Sequence, residues 1–201
     1  ALFERIEVVN SGTASDYDYP NGVDINLKYA AYQNITIKDS KISGSDNGTV
    51  GHGLAIKARN DEDYADNPAS LTNVKVENVE LTGNRNGILI SGDIEPGVVI
   101  VDCVLENIGI ELENLSQSTV TAQENWWGTA DLAEIEAKIS GNVDFNPWYV
   151  NEEMNKLCDE AAVEAINAAT RAGMQEALET NAVALRLDIT AYNKLSSIGQ
   201  V

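Results

Sequence analysis

Basic side chains and long apolar runs are scarce in this chain of 201 residues. Its 13 Lys and Arg residues stand against 32 Asp and Glu residues, which gives a formal net charge of −19. A chain of this charge repels phosphate backbones and anionic bilayers, so we expect no nucleic acid among its partners. No segment has the roughly 20 consecutive apolar residues of a membrane-spanning helix, and we expect no membrane insertion.

Cysteine and histidine are too few for a disulfide framework or a Cys/His metal site. Cys103 and Cys158 are far apart in the sequence and lack CxxC spacing, so we expect two free, buried thiols. His52 is the only histidine, and we interpret it as a turn or edge residue. The chain begins ALFERIEVVN, without Met or an apolar leader, and we expect it to be a piece of a longer protein.

Two families of short segments recur along the chain, each with apolar residues at every second position. The first family begins with glycine and covers residues 22–28, 53–59, 87–93 and 109–114. The second family begins at Arg5, Asn34, Asn73, Gly97 and Thr119. A period of two predicts β-strands in both families.

The second family is unevenly spaced. Its equivalent apolar positions are separated by 29, 39, 24 and 22 residues, taking them as Ile6, Ile35, Val74, Val98 and Val120. Constant strands with connections of varying length predict a mainly β fold, a right-handed parallel β-helix of about five coils stacked on one another. An antiparallel sandwich is the alternative, but it needs tight Asn-Gly hairpins, of which NRNGILI offers one.

The repeat predicts which side chains stack on one another. Three inward columns are expected: Val23, Leu54, Ile88 and Ile110; Ile25, Ile56, Ile90 and Leu112; and Ser40, Val79, Cys103 and Asn125. An outward polar column contains Asn26, Lys57, Ser91 and Glu113. Asn and Asp tolerate left-handed backbone angles, so corners are predicted at the polar residues Asn10, Asp39, Asn78, Asp102 and Glu124.

Aromatic residues make up only 6% of the chain, yet all three tryptophans lie between residues 126 and 148. The stretch Asn-Trp-Trp-Gly at 125–128 is followed by Gly141, Val143, Phe145, Pro147 and Trp148. This pattern resembles the C-terminal end of right-handed parallel β-helix proteins of the pectate-lyase-like class, over about residues 3–150. The resemblance implies that these aromatics, with a short helix bearing Leu132, Ile135 and Ile139, cover the open end of the last coil.

The strand pattern stops after Trp148. We therefore place a domain boundary between residues 1–150 and 151–201 and predict a small bundle of three helices in the second domain. The helices are expected within 151–169, with Asn151 as N-cap, within 170–188, with Thr170 as N-cap, and within 189–198. The sequence of residues 151–201 is similar to that of a helical module of bacterial cell-surface and S-layer-associated proteins. This resemblance implies an extracellular or cell-surface location.

The residue pattern contains no repeated pair of carboxylates of the kind that glycoside hydrolases use. Lys28 and Arg59 are candidate bases for a polysaccharide lyase, although an aligned basic pair usually forms a solvated face.

We expect no cofactor, with Ca²⁺ as the one candidate. Its candidate ligands are Asp61, Asp63 and Asp66, although an ordinary acidic solvated loop is the favoured interpretation and the EF-hand pattern is absent. The loop SDYDYPN at 15–21 is interpreted in the same way.

Three tyrosines, Tyr29, Tyr32 and Tyr64, are predicted at one edge and are candidate contacts for a cell-wall or extracellular polysaccharide. The leading hypothesis for the chain is nevertheless a non-catalytic scaffold or adhesive module of a bacterial cell-surface or secreted protein. The alternatives are the C-terminal part of a polysaccharide lyase or hydrolase and a glycan-binding β-helix domain. We also expect self-association through the exposed edge of the first coil.

Overall fold

A computed structural model describes residues 1–14, 20–170, 172–188 and 190. The protein is mainly β, with a large parallel sheet and three small helices within these residues. The strands are β1 (Leu2–Glu4), β2 (Glu7–Val9), β3 (Val23–Leu27), β4 (Ala31–Ser43), β5 (Leu54–Ala58), β6 (Ser70–Thr82), β7 (Ile88–Ile94), β8 (Val98–Val101), β9 (Val104–Glu106), β10 (Leu112–Asn114), β11 (Val120–Thr121), β12 (Ile139–Ser140) and β13 (Val143–Asp144). The helices are α1 (Leu132–Ala137), α2 (Cys158–Ala168) and α3 (Met174–Thr180), with a short 3₁₀ helix at Glu62–Tyr64.

The strands form two parallel ladders. In the first ladder β3, β5, β7, β10 and β12 pair in that order. In the second ladder β1 and β2 pair with β4, β4 pairs with β6, β6 pairs with β8 and β9, and β11 joins β8 to β13. The end of β7 leaves the first ladder and pairs with β6 in the second.

Gly92 allows β7 to pass from one ladder to the other. Its φ is 88°, and a Cβ atom there would collide with the carbonyl oxygen of Ala58 on the neighbouring strand. Only glycine accepts both the left-handed backbone and the close approach.

The predicted inward columns are largely confirmed. Val23 pairs with Leu54 and Leu54 with Ile88, while Ile25 pairs with Ile56 and Ile56 with Ile90. Ser40 pairs with Val79, and the bond from the Cys103 backbone N–H to Asn125 Oδ1 (2.9 Å) continues that column. Burial raises the pKa of the Cys103 thiol to about 12, as expected for an inert core cysteine.

The predicted register is wrong in the fourth segment of the first ladder. Leu112, not Ile110, pairs with Ile88, so Asn114 takes the position opposite Ile90. Glu113 consequently pairs with Leu89 and not with Ser91. The shift of two residues leaves the alternation intact. In this register Asn114 Nδ2 donates to the carbonyl oxygens of Ser118 and Asn142, both at 2.8 Å.

The first segment of the second ladder is also displaced from its predicted position. Leu2 pairs with Thr36 and Glu7 with Lys41, which places Ile6 beside Ser40 and not beside Ile35. The Ile6 backbone N–H donates to Ser40 Oγ at 3.1 Å. The residue that aligns with the corner at Asp39 is therefore Arg5, and Asn10 lies at the next corner, beside Gly44.

The corners predicted at the other polar residues are confirmed. The backbone φ lies between 50° and 55° at all members of the aligned column, namely Arg5, Asp39, Asn78, Asp102 and Glu124. Asn78 Nδ2 donates to Asp39 Oδ1 at 2.8 Å, so neighbouring corners also bond through their side chains. Left-handed angles suit Asn and Asp, whereas Arg5 and Glu124 adopt them at a steric cost.

Aromatic residues cover the C-terminal end of the ladders, as the tryptophan motif predicts. Trp127 is fully buried and meets Phe145 edge to face at a centroid distance of 6.1 Å, and Phe145 lies 5.9 Å from Trp148. The predicted short helix is α1, which buries Ile135 and begins at Asp131, whose Oδ1 accepts the Glu134 backbone N–H at 3.0 Å. Helix α2 adjoins this cover, because the Cys158 backbone N–H donates to the Trp148 carbonyl oxygen at 2.9 Å.

The helices after residue 150 are shorter than predicted. Asn151 is not an N-cap, because α2 begins seven residues later, where Glu160 Oε2 accepts the Leu157 backbone N–H at 3.1 Å. Residues 181–186 form turns and do not extend α3. Thr170 Oγ1 accepts the Gly173 backbone N–H at 3.2 Å just before α3. The third predicted helix, 189–198, lies outside the described residues except for residue 190, and the boundary at residue 150 stays a prediction.

None of the helices described here is both long and apolar enough to cross a bilayer.

A substitution at Glu124 tests whether the corners of the aligned column have a left-handed backbone. We expect Glu124→Asn to raise the free energy of unfolding by about 1 kcal/mol, because Asn tolerates the left-handed backbone better than Glu. The new amide would also face Asp102 as Asn78 faces Asp39. Urea unfolding measures the change. Glu124→Val is the matched control and should cost about 1 kcal/mol, since a β-branched side chain is strained at this angle. Equal effects of the two substitutions on the free energy of unfolding would contradict a left-handed backbone at Glu124.

Candidate functional site

Two of the three tyrosines predicted to share an edge are in contact. Tyr29 follows β3 and Tyr64 ends the 3₁₀ helix, and their ring centroids lie 5.2 Å apart. Tyr32 lies on β4, where its hydroxyl donates to the Lys28 carbonyl oxygen at 2.9 Å and closes the turn between β3 and β4. The structure thus brings Tyr29 and Tyr64 together, with Tyr32 bracing the turn that carries Tyr29.

Two basic side chains face the ring of Tyr64. Arg59 Cζ lies 4.6 Å and Lys28 Nζ lies 5.2 Å from its centroid, within the range of cation–π attraction. Arg59 also binds Asp61 through two bonds of 2.6 and 2.7 Å. This bidentate bond lowers the pKa of Asp61. Lys28 and Arg59, the candidate lyase bases, are therefore held against an aromatic ring.

A groove of about 430 Å³ lies beside this cluster. Its walls come from the outward face of the first ladder and from the segment that follows β5. The residues that line it are Lys57, Ala58, Arg59, Asn60, Asp61, Leu89, Ser91, Gly92 and Leu115. Apolar Leu89 and Leu115 alternate here with polar groups, a lining that suits a ligand with both apolar and hydroxyl surfaces.

The three candidate calcium ligands, Asp61, Asp63 and Asp66, lie exposed in the segment between β5 and β6. Backbone bonds shape this segment: the Tyr64 N–H donates to the Asp61 carbonyl oxygen at 2.8 Å, and the Asn67 N–H to that of Tyr64 at 3.2 Å. Within the described part of the chain, no three His, Cys, Asp or Glu side chains form a group that could hold a metal ion. Calcium binding stays a prediction, and it would require these side chains to rearrange around the ion.

His52 has a partner that sequence analysis missed. Its Nε2 lies 3.2 Å from Glu113 Oε2, and only 12% of its side chain is exposed. The pairing was hidden because the predicted register placed Glu113 opposite Ser91, two positions from its true place. Burial lowers the pKa of His52, the charge of Lys57 lowers it further, and Glu113 opposes both.

A further acidic residue missed by sequence analysis is Glu111, whose side chain is completely buried. Its Oε1 lies 3.2 Å from Lys138 Nζ, and both its oxygens accept hydrogen bonds from Asn107. With Ile110 and Leu112 predicted to face inward, the alternating pattern directs Glu111 outward, so the sequence gave no signal for this buried position.

Comparison of the chain with family models, curated proteins and solved structures finds no match in any of the three.

The pair of His52 and Glu113 predicts a pH dependence. The pKa of His52 is lower in the folded than in the unfolded chain, so the unfolded chain takes up a proton first as the pH falls through 6.5. The stability that neutral His52 contributes is thus present above this pH and lost below it. We expect the free energy of unfolding of the wild type to fall more steeply than that of His52→Gln between about pH 7.5 and about pH 5.

Chemical denaturation over this pH range measures both slopes. Glu113→Gln is the matched variant, and it should steepen the fall, because removing the carboxylate lowers the pKa of His52 further. If the free energy of unfolding falls with the same slope for the wild type and His52→Gln, the lowered pKa of His52 in the folded chain is contradicted.

Proposed function

We propose that this chain is a non-catalytic scaffold module, the C-terminal part of a right-handed parallel β-helix in a secreted or bacterial cell-surface protein. The observation that carries the proposal is the pair of parallel ladders, in which each strand pairs with its counterpart from the next repeat. About five stacked coils account for the two ladders, with each coil braced by its neighbours. The location at a bacterial surface rests on the resemblance of residues 151–201 to a helical module of bacterial cell-surface and S-layer-associated proteins.

The charged groups of the outward face support a structural role, because they are engaged with one another. Lys57 Nζ lies 2.9 Å from Asp24 Oδ2, and Lys41 Nζ lies 2.5 Å from Glu80 Oε1. Such pairs link strands of neighbouring repeats across the surface. A catalytic acid and base would instead face a shared space where a substrate bond could lie.

The two ends of the ladders differ, and the difference suggests where a scaffold of this kind associates. The aromatic cover buries one end, whereas β1 and β2 at the other end pair only with β4 among the described strands. Their outer edge carries exposed apolar side chains at Leu2 (59%), Phe3 (39%) and Val9 (53%). An uncovered edge of this kind binds further strands, and a second copy of the chain is one source of them.

The proposed edge contact predicts association that depends on concentration. We expect sedimentation to show dimers or larger species as the protein concentration rises. Val9→Lys should weaken this association at least about tenfold, because a charge on the edge strand opposes pairing. Ile108→Lys is the control, since Ile108 is similarly exposed (57%) but lies outside β1 and β2. A monomer at all concentrations would contradict the contact.

Glycan binding is a second candidate function. It is favoured by one observation, the groove beside the contact between Tyr29 and Tyr64. Tyr29 is 55% exposed, so its ring can stack on a sugar, while Lys57 and Ser91 offer hydrogen-bond donors in the groove.

A screen with immobilised polysaccharides, with and without Ca²⁺, separates the hypotheses. The scaffold proposal expects neither retention nor turnover. Retention that Tyr64→Ala weakens about tenfold, and Tyr149→Phe leaves unchanged, would favour glycan binding instead. Turnover of an acidic polysaccharide would overturn the proposal and favour the lyase or hydrolase alternative, and retention only with Ca²⁺ would direct mutagenesis to Asp61, Asp63 and Asp66.

A further inference from the structure

Glu111 lies between an amine and a side-chain amide. Its Oε1 is 3.2 Å from Lys138 Nζ, and its Oε2 accepts a hydrogen bond of 2.6 Å from Asn107 Nδ2. Glu111 aligns with Lys138 across the pairing of β10 with β12, since Leu112 pairs with Ile139. The carboxylate is fully buried and Asn107 is only 8% exposed, so little water competes for these groups.

The amide of Asn107 is oriented and polarised by Asn84. Two donors, the Asn84 backbone N–H at 3.2 Å and Asn84 Nδ2 at 2.8 Å, bind Asn107 Oδ1. Asn84 is fixed in turn, because its Oδ1 accepts the Ser45 backbone N–H at 3.0 Å. The carbonyl oxygen of Asn107 thus points to two donors and its NH₂ group to a carboxylate. Donors in this position stabilise the negative charge that develops when a nucleophile attacks a carbonyl carbon.

We propose that Lys138 and Asn107 form an intramolecular amide bond, with Glu111 as the proton-transfer residue. The electrophile, the acid–base group and the oxyanion donors are buried together, and the nucleophile Lys138, whose side chain is 31% exposed, meets them at Glu111. The bond would join α1 of the aromatic cover to the turn after β9, closing a loop over residues 107–138. It is independent of any ligand that the protein binds.

The reaction balances without an oxidant or an external reagent. The Lys138 ammonium gives a proton to Glu111, and the neutral amine attacks Asn107 Cγ, whose Oδ1 takes up the electron pair. Collapse of this intermediate forms the Nζ–Cγ amide and breaks the Cγ–Nδ2 bond. Two of the three Nζ hydrogens pass, by way of Glu111, to the departing nitrogen, which leaves as ammonium. Glu111 ends as a carboxylate, as it began.

Intact-mass measurement of the denatured wild-type chain tests the proposal. We expect a mass about 17 Da below that of the sequence, equal to one ammonia. Trypsin should no longer cleave after Lys138, and the fragment over residues 86–156 should carry the missing mass. A wild-type chain of full mass that trypsin cleaves after Lys138 would overturn the proposal, whatever the variants do.

Variants distinguish the cross-link from cyclic imide formation at an Asn-Gly pair, which removes the same mass. Lys138→Arg and Glu111→Gln should restore the full mass, whereas Lys75→Arg, a surface control paired with Glu77, should keep the loss. A loss that persists in Lys138→Arg would overturn the proposal. Circular dichroism checks that the variants fold, and we expect the melting temperature of Lys138→Arg to fall by about 10 °C relative to the control.

Discussion

Parallel strands hydrogen-bond at a spacing of roughly 4.8 Å, so side chains at paired positions of the two ladders lie directly over one another. Apolar counterparts fill the interior, as with Leu54 over Ile88. Buried polar counterparts must satisfy one another, and Asn84 Nδ2 therefore donates to Asn107 Oδ1 at 2.8 Å. The same constraint explains why loops vary in length while strands do not: a loop extends outward at little cost, whereas an extra residue in a strand would misalign every rung beyond it.

The repeat could be predicted from sequence because alternation of apolar residues is a local property. Its register could not be predicted everywhere, since a shift of two residues preserves the alternation and leaves both alignments plausible. What decides between them is polar bonding between distant segments. The Ile110 backbone N–H donates to Asn86 Oδ1 at 3.0 Å, and these two residues are aligned when Leu112 lies opposite Ile88. In the first segment, the bond from Ile6 to Ser40 Oγ likewise marks the register. Helix lengths after residue 150 were overestimated for a related reason, because periodicity does not reveal where a helix meets its tertiary neighbours.

Some of the candidate sites could also be predicted from sequence, and others could not. The contact of Tyr29 with Tyr64 was predictable, because Tyr29 follows β3 and the segment that carries Tyr64 follows β5, the strand that pairs with β3. The pair of His52 with Glu113, and the cluster of Asn84, Asn107, Glu111 and Lys138, depend on register and were not found. Each contains an ionisable side chain held away from bulk water, His52 in the first and Glu111 in the second, where an unpartnered group is costly. Their partners come from other repeats, so these groups also fix which repeats lie beside one another.

The net charge of −19 sets a limit on how such a module associates. Copies repel one another at long range, and screening acts over about 8 Å at physiological salt. An edge contact through β1 and β2 can succeed only where short-range forces exceed this repulsion, namely backbone pairing and burial of side chains such as Phe3. Since these forces act at contact and the repulsion is screened, added salt favours the contact. At the opposite end the aromatic cover buries the apolar interior. Association through β1 and β2 would therefore join like ends, which produces a closed pair and not a growing filament.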